Sequence, residues 1–133
     1  MYLLISTENN SYFSVAVGSV KIEKLKTIQK PYKQSELLLK TIVGLVKKKK
    51  IDGVMAVEGP GGFSALRIGI ATANALAFSY KIPVVGVKLK KTWLKLSEEE
   101  KIEKVWQFGI KELKDAEVGK WLIPFYDKEP NIT

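Results

Sequence analysis

The chain has 133 residues, 22 Lys and Arg against 14 Asp and Glu, a net charge of +8, and neither histidine nor cysteine. That length suits one domain burying roughly two-thirds of its unfolded surface, and two domains would be cramped. The missing residue types exclude disulfides, thiolate nucleophiles, Cys-ligated zinc or iron–sulfur clusters, imidazole bases and Ser-His-Asp triads. They leave carboxylate, hydroxyl or lysine chemistry and, for any metal, oxygen ligands of the magnesium or calcium kind.

Residues 2–6 are a short apolar run that reads as a buried strand, and 11–17 alternate as a second strand, with Glu8-Asn9-Asn10 as the hairpin turn. Residues 20–28 alternate imperfectly and carry lysines, as a protected edge strand does. Together these predict an antiparallel meander. The period then changes: Ser35 can cap a helix carrying Leu38, Leu39, Ile42, Val43, Leu45 and Val46, with Lys47–Lys50 closing its C-terminal end. Val54–Val57 reads as a buried strand, Gly59-Pro60-Gly61-Gly62 as a turn, 63–80 as an apolar helix, and 82–87 as another buried strand. The β-β-β-α-β-α-β order predicts a mixed five-stranded α/β sheet with packed helices. Beyond it, Trp93 and Leu94 read as a short helix. Ser97-Glu98-Glu99-Glu100 reads as a helix start with Ile102, Val105, Trp106 and Leu113 on an apolar face interrupted by Gly109. Residues 121–126 read as extended, and Asp127–Thr133 as a polar tail.

The N-terminus lacks a signal peptide's basic n-region, and 62–80 is too rich in Gly, Ala and polar residues to span a membrane, so a cytoplasmic setting is expected. The charge excess is local. Residues 21–50 hold ten lysines against Glu23 and Glu36, which accounts for all of the net charge. The chain has 21 lysines and one arginine, so lysine number alone is a habit of composition. An RNA-phosphate footprint and a plain helix end remain alternatives for Lys47–Lys50, without interleaved aromatics. Glu98–Glu100 and Glu103 read as a solvated helix face.

Two features could carry function. The first is Glu58 through Gly69, a strand end, a glycine-rich turn and a helix N-terminus. There Gly59, Gly61, Gly62, Ser64 and Arg67 are candidates for holding an anion or nucleotide. It has neither P-loop nor dinucleotide-fingerprint spacing, and composition alone favours the plainer reading of a tight turn that returns a helix to the sheet. Arg67, the lone arginine, suits a carboxylate or phosphate ligand, or an internal pair with Glu36 or Glu58. The second is the helix 63–80, apolar nearly all round, which needs either the C-terminal segment or another chain to cover it. Gly69, Ala73 and Ala77 would permit close helix–helix approach.

Gly59-Pro60-Gly61-Gly62-Phe63-Ser64-Ala65-Leu66-Arg67-Ile68-Gly69, followed by Pro83-Val84-Val85-Gly86-Val87, resembles the TsaB (YeaZ) family, with its GPGSFTGLRIG-type motif and IPVVGV-type strand. Gln34-Ser35-Glu36-Leu37-Leu38 resembles the family's HSE-type helix start, with Gln34 in place of His. Leu3-Leu4-Ile5-Ser6-Thr7 resembles its first strand, with Ser6 in place of Asp. The resemblance covers about residues 1–95 and implies an actin-like (RNase H-like) domain. Residues 96–133 would then be a short helical segment and tail replacing the family's second domain, and Pro124–Pro130 resembles the family's closing tail.

The resemblance implies a non-catalytic partner of TsaD in threonylcarbamoyladenosine modification of tRNA, working with TsaD and the associated TsaE-type ATPase, forming a homodimer when alone and meeting tRNA indirectly. The peptidase label given to such proteins finds no residues here. The implied partner surface is a bundle of the helices 35–48 and 63–80, with Ser35, Glu36, Leu39, Ile42, Val43, Ile70, Ala73 and Ala77 as contacts. No catalytic residue, metal or cofactor is expected, with ATP and magnesium only at the partner interface. Ser6 stands where actin-like ATPases have an acid that helps hold magnesium, and strand one has no other, which argues against ATP hydrolysis. The alternatives are a small nucleotide-binding phosphotransferase and a basic RNA-binding module.

Overall fold

A computed structural model describes residues 1–126. Five strands form one mixed sheet: β1 (Tyr2–Ser6), β2 (Phe13–Gly18), β3 (Ile22–Ile28), β4 (Gly53–Gly59) and β5 (Val84–Lys88), in the order β3-β2-β1-β4-β5. β1/β2 and β2/β3 pair antiparallel, β1/β4 and β4/β5 parallel, so the meander extended by two crossovers is the observed topology. Leu3 lies opposite Val17 on one side and Val54 on the other. This register sorts the side chains by period two. Leu3, Ile5, Val15, Val17, Val54 and Ala56 face one way, and Leu4, Ala16, Met55 and Val57 the other. Both faces are covered, which is why the strands read as apolar runs rather than strict alternation.

Helices α1 (Gln34–Val46) and α2 (Phe63–Tyr80) cover the first face. α1 begins one residue before the expected cap. Ser35 lies inside the helix, the N-cap position is Lys33 with no side-chain cap, and the buried Gln34 donates its Nε2–H to the Asn9 carbonyl (2.8 Å). Lys47 has φ 55°, so the lysines 47–50 follow the helix end and none lies in its last turn.

Helix α3 (Glu98–Lys114), after a 3-10 turn at Lys91–Lys95, covers the second face with Ile102, Val105, Trp106 and Leu113. Ser97 caps it: Glu100 N–H donates to Ser97 Oγ, and Ser97 Oγ–H to Glu100 Oε1 (2.9 Å). Gly109 does not interrupt the helix. A Cβ there would overlap the Met55 side chain, so the glycine sets how closely α3 approaches the sheet. Residues 96–114 therefore supply the second layer of the core. Residues 121–126 carry no regular secondary structure and pack against α2 and the end of β4: Asn74 exchanges two hydrogen bonds with the Leu122 backbone, Phe125 N–H donates to the Glu58 carbonyl (2.7 Å), and the Phe63 and Tyr126 rings are 5.0 Å apart. The expected polar tail, and the last residues of the Pro124–Pro130 pattern, lie outside the described residues.

Candidate functional site

The glycine-rich turn joins β4 to α2, and its glycines are used up by the chain itself. Gly59 has φ +134°, a conformation open to glycine, and a Cβ there would overlap the Phe125 carbonyl. A Cβ at Gly61 would meet the Glu8 backbone, and one at Gly62 the Asn10 side chain. The Gly62 N–H donates to the Glu8 carbonyl (2.7 Å). About two turns further on, Gly69 abuts Thr7 Oγ1. Close approach is thus to the β1–β2 loop, where a ligand-binding turn would leave space. Ser64 and Arg67 are exposed on α2. The Arg67 guanidinium lies 5.2 Å from the Phe63 ring centroid, and among the described residues it pairs with neither Glu36 nor Glu58. Glu58 is half-buried, and burial holds its carboxyl above the ordinary range, partly offset by Lys88.

The charged centre of the molecule was not legible as such in the sequence. Glu8, expected in an ordinary hairpin turn, is buried at the end of β1, and its Oε2 accepts from Ser6 Oγ (2.5 Å). Lys101 of α3 reaches Glu8 Oε1 just beyond the end of the central strand β1 and lies 2.6 Å from Glu98 Oε1. Glu98 Oε2 accepts from Ser14 Oγ (2.6 Å), and the Ser14 and Thr27 hydroxyls share a hydrogen bond (2.8 Å). Glu98 is therefore half-buried against Lys101 and Ser14 instead of lying on the expected solvated face. Burial alone would lower the Lys101 pKa; the two carboxylates outweigh it and hold the ammonium well above its ordinary value. A signal was present. Glu8 is the only charge in the first twenty residues, and Lys101 shares the helical stripe of Val105.

A magnesium-bound nucleotide does not fit these residues. Glu8 has one oxygen on the Ser6 hydroxyl and the other on the Lys101 ammonium, and the adjoining turn amide at Gly62 is already donated to Glu8. An internal cation thus occupies the carboxylates that such a metal would need.

The eight expected interface residues separate into two sets. Ile42, Ile70, Ala73 and Ala77 are in the core under the helices, with Ala73 0% and Ala77 5% exposed, and are corrected to core residues. They sit on the inward stripes because the sheet takes the small-residue face of α2. Ser35, Glu36, Leu39 and Val43 face out, with Leu39 56% and Val43 59% exposed. Beside them on α2, Ala71 and Ala75 are exposed and Ile68 and Thr72 half-buried. The Thr72 hydroxyl donates back to the Ile68 carbonyl (2.8 Å), so this surface presents few polar groups in need of a partner. A separate hollow of about 470 Å³, between the end of α2 and residues 118–121, takes in only Ala77 of the expected residues.

A family model described as "TsaD: tRNA N6-adenosine threonylcarbamoyltransferase" matches residues 34–95, the stretch from α1 to the 3-10 turn. Curated relatives with that description include a Fervidobacterium nodosum protein, 38% identical over 49% of this chain and 18% of its own length. A Bacillus subtilis protein is 54% identical over 28% of this chain and 11% of its own. The chain thus spans less than a fifth of the length of these relatives. Among solved structures, YeaZ from Pseudomonas aeruginosa matches with a TM-score of 0.59 and 25% identity, covering 65% of this chain and 42% of YeaZ. A P. aeruginosa protein described as similar to peptidase YeaZ matches equally. Thermus thermophilus RuvC, solved with a Holliday junction, matches at a TM-score of 0.52 and 7% identity and shares the fold alone. Among the described residues, no helix is long and apolar enough to cross a membrane. With a fold similar to that of YeaZ and a TsaD-type sequence match through the glycine-rich turn, the chain is similar to the YeaZ (TsaB) and TsaD proteins and shares their actin-like fold.

Proposed function

We propose that the chain is a non-catalytic partner subunit in threonylcarbamoyladenosine modification of tRNA, binding a TsaD-type protein through the outward face of α1 and α2. The observation that carries this is the exposed stripe of Leu39 and Val43 on α1 beside Ala71 and Ala75 on α2. Two parallel ridges of apolar and small side chains on adjacent helices can pack against a second helix pair as a four-helix bundle. The likeness to the transferases also runs through both helices. The same face accommodates a second copy of the chain when the partner is absent. Neither catalytic residue nor bound nucleotide is assigned, since the turn that would hold a phosphate is packed by Glu8 and Asn10. This packing favours the partner-subunit reading over the phosphotransferase alternative.

Co-purification with the TsaD-type protein of the same organism tests the proposal. Wild type is expected to be retained, and a Leu39→Glu/Ala75→Glu variant to be lost with its circular dichroism and melting temperature preserved. Failure of folded wild type to bind, or equal retention of the variant, would overturn it.

A further inference from the structure

The flank of α1 turned away from α2 carries a second surface. β3 ends the sheet, so along its seven residues the outward main-chain groups have no partner strand among the described residues. The register puts Lys24, Lys26 and Ile28 opposite Val17, Val15 and Phe13, hence on the α1 side. Between them and α1 runs a groove of about 380 Å³. Its apolar floor is Ile28, Leu37 and Leu45, and its rim is Lys26, Lys30 and Lys40. No acid lines it, and among the described residues none of those three lysines forms an ion pair. The groove lies within the stretch that carries the whole net charge of the chain.

We propose that this edge and groove receive an extended acidic segment of a partner protein, added to the sheet as a sixth strand beside β3. An added strand satisfies the open main-chain groups and sets alternate side chains toward the groove. The apolar floor takes apolar side chains, and the lysine rim takes acids. A second copy of β3 is a poor occupant, because antiparallel self-pairing sets lysines against lysines. A nucleic acid would leave both the main-chain edge and the apolar floor unused, and the groove offers no aromatic for a base to stack on. The surface is independent of the proposed TsaD face. At 100° per residue, Leu37, Thr41 and Gly44 lie on one flank of α1, and Leu39 and Val43 on the other.

The probe is a ten-residue peptide with Glu and Val taking turns at every second position and Thr between them, so that both face the groove, titrated into the full chain at low salt and followed by amide hydrogen exchange. Binding is expected with new protection confined to β3 amides. Lys26→Glu/Lys40→Glu is expected to weaken it about tenfold or more, as two attractive pairs become repulsive, and to gain binding to the matching Lys–Val peptide. Equal binding by that variant, or binding without protection in residues 22–28, would overturn the proposal. So would a single-stranded RNA oligonucleotide that binds through the same lysines with a steep salt dependence. A Leu39→Glu/Ala75→Glu chain is expected to keep the peptide, which separates this outcome from failure of the TsaD face.

Discussion

Replacing Lys101 by Met removes the one cation among the described residues that faces both Glu8 and Glu98, and leaves two carboxylates in a site built around an ammonium. Stranding a buried charge costs about 3 kcal/mol or more, so urea denaturation should show a clear loss of stability. A Glu8→Gln/Glu98→Gln/Lys101→Met chain should recover much of it. Because the folded Lys101 pKa is raised, its contribution is complete below the ordinary value of 10.5 and fades as pH climbs beyond it. The gap between wild type and Lys101→Met should therefore hold at neutral pH and shrink only in strong alkali. Thr7 gives a sharper local case. Its Oγ1 is buried against Gly69 with no hydrogen-bond partner among the described residues. Gly69→Ala should cost about 1–3 kcal/mol through overpacking, and Thr7→Ala should restore part of it, since the threonine loses no hydrogen bond. A thermal melt of the single and double variants checks both.

At the scale of elements, α2 shows why composition could not assign its faces. It is apolar on almost every side, so hydrophobicity distinguishes no stripe, yet Ala73 is buried and Ala71, two residues earlier, is exposed. Ala73→Glu should prevent folding, because a carboxylate would enter the core between α2 and the sheet. Ala71→Glu should leave the melting temperature within a few degrees of wild type and act only on partner binding. Circular dichroism melts of the two variants distinguish core from surface directly. α3 makes the opposite case, since its start is local: the Ser97–Glu100 capping box needs only four residues. Ser97→Ala should cost about 1 kcal/mol by loss of the cap, measured by urea titration.

For the whole molecule, the C-terminal segment decides whether the sheet can exist alone. Without α3, the second face of the sheet would expose Leu4, Ala16, Met55, Val57 and Val87 to water. A chain truncated after Lys95 should therefore aggregate or elute as oligomers on size exclusion, although residues 1–95 contain every strand. The antiparallel meander and the mixed five-stranded sheet were readable from the sequence, because short apolar runs, a capped helix and glycine turns are local signals. The two crossovers admit few topologies. The glycine-rich turn, the boundaries of α2 and the start of α3 were legible for the same reason. What the sequence could not supply was the partner of each feature. Nothing near Glu8 in the chain announces Lys101, ninety-three residues away, and the glycines of the turn look alike whether they approach a phosphate or a neighbouring loop. Burial and charge pairing depend on which surfaces meet after the chain closes. Tertiary packing alone therefore decided that the carboxylate at the end of β1 holds an internal ammonium, and that the small residues of α2 face the sheet rather than a partner.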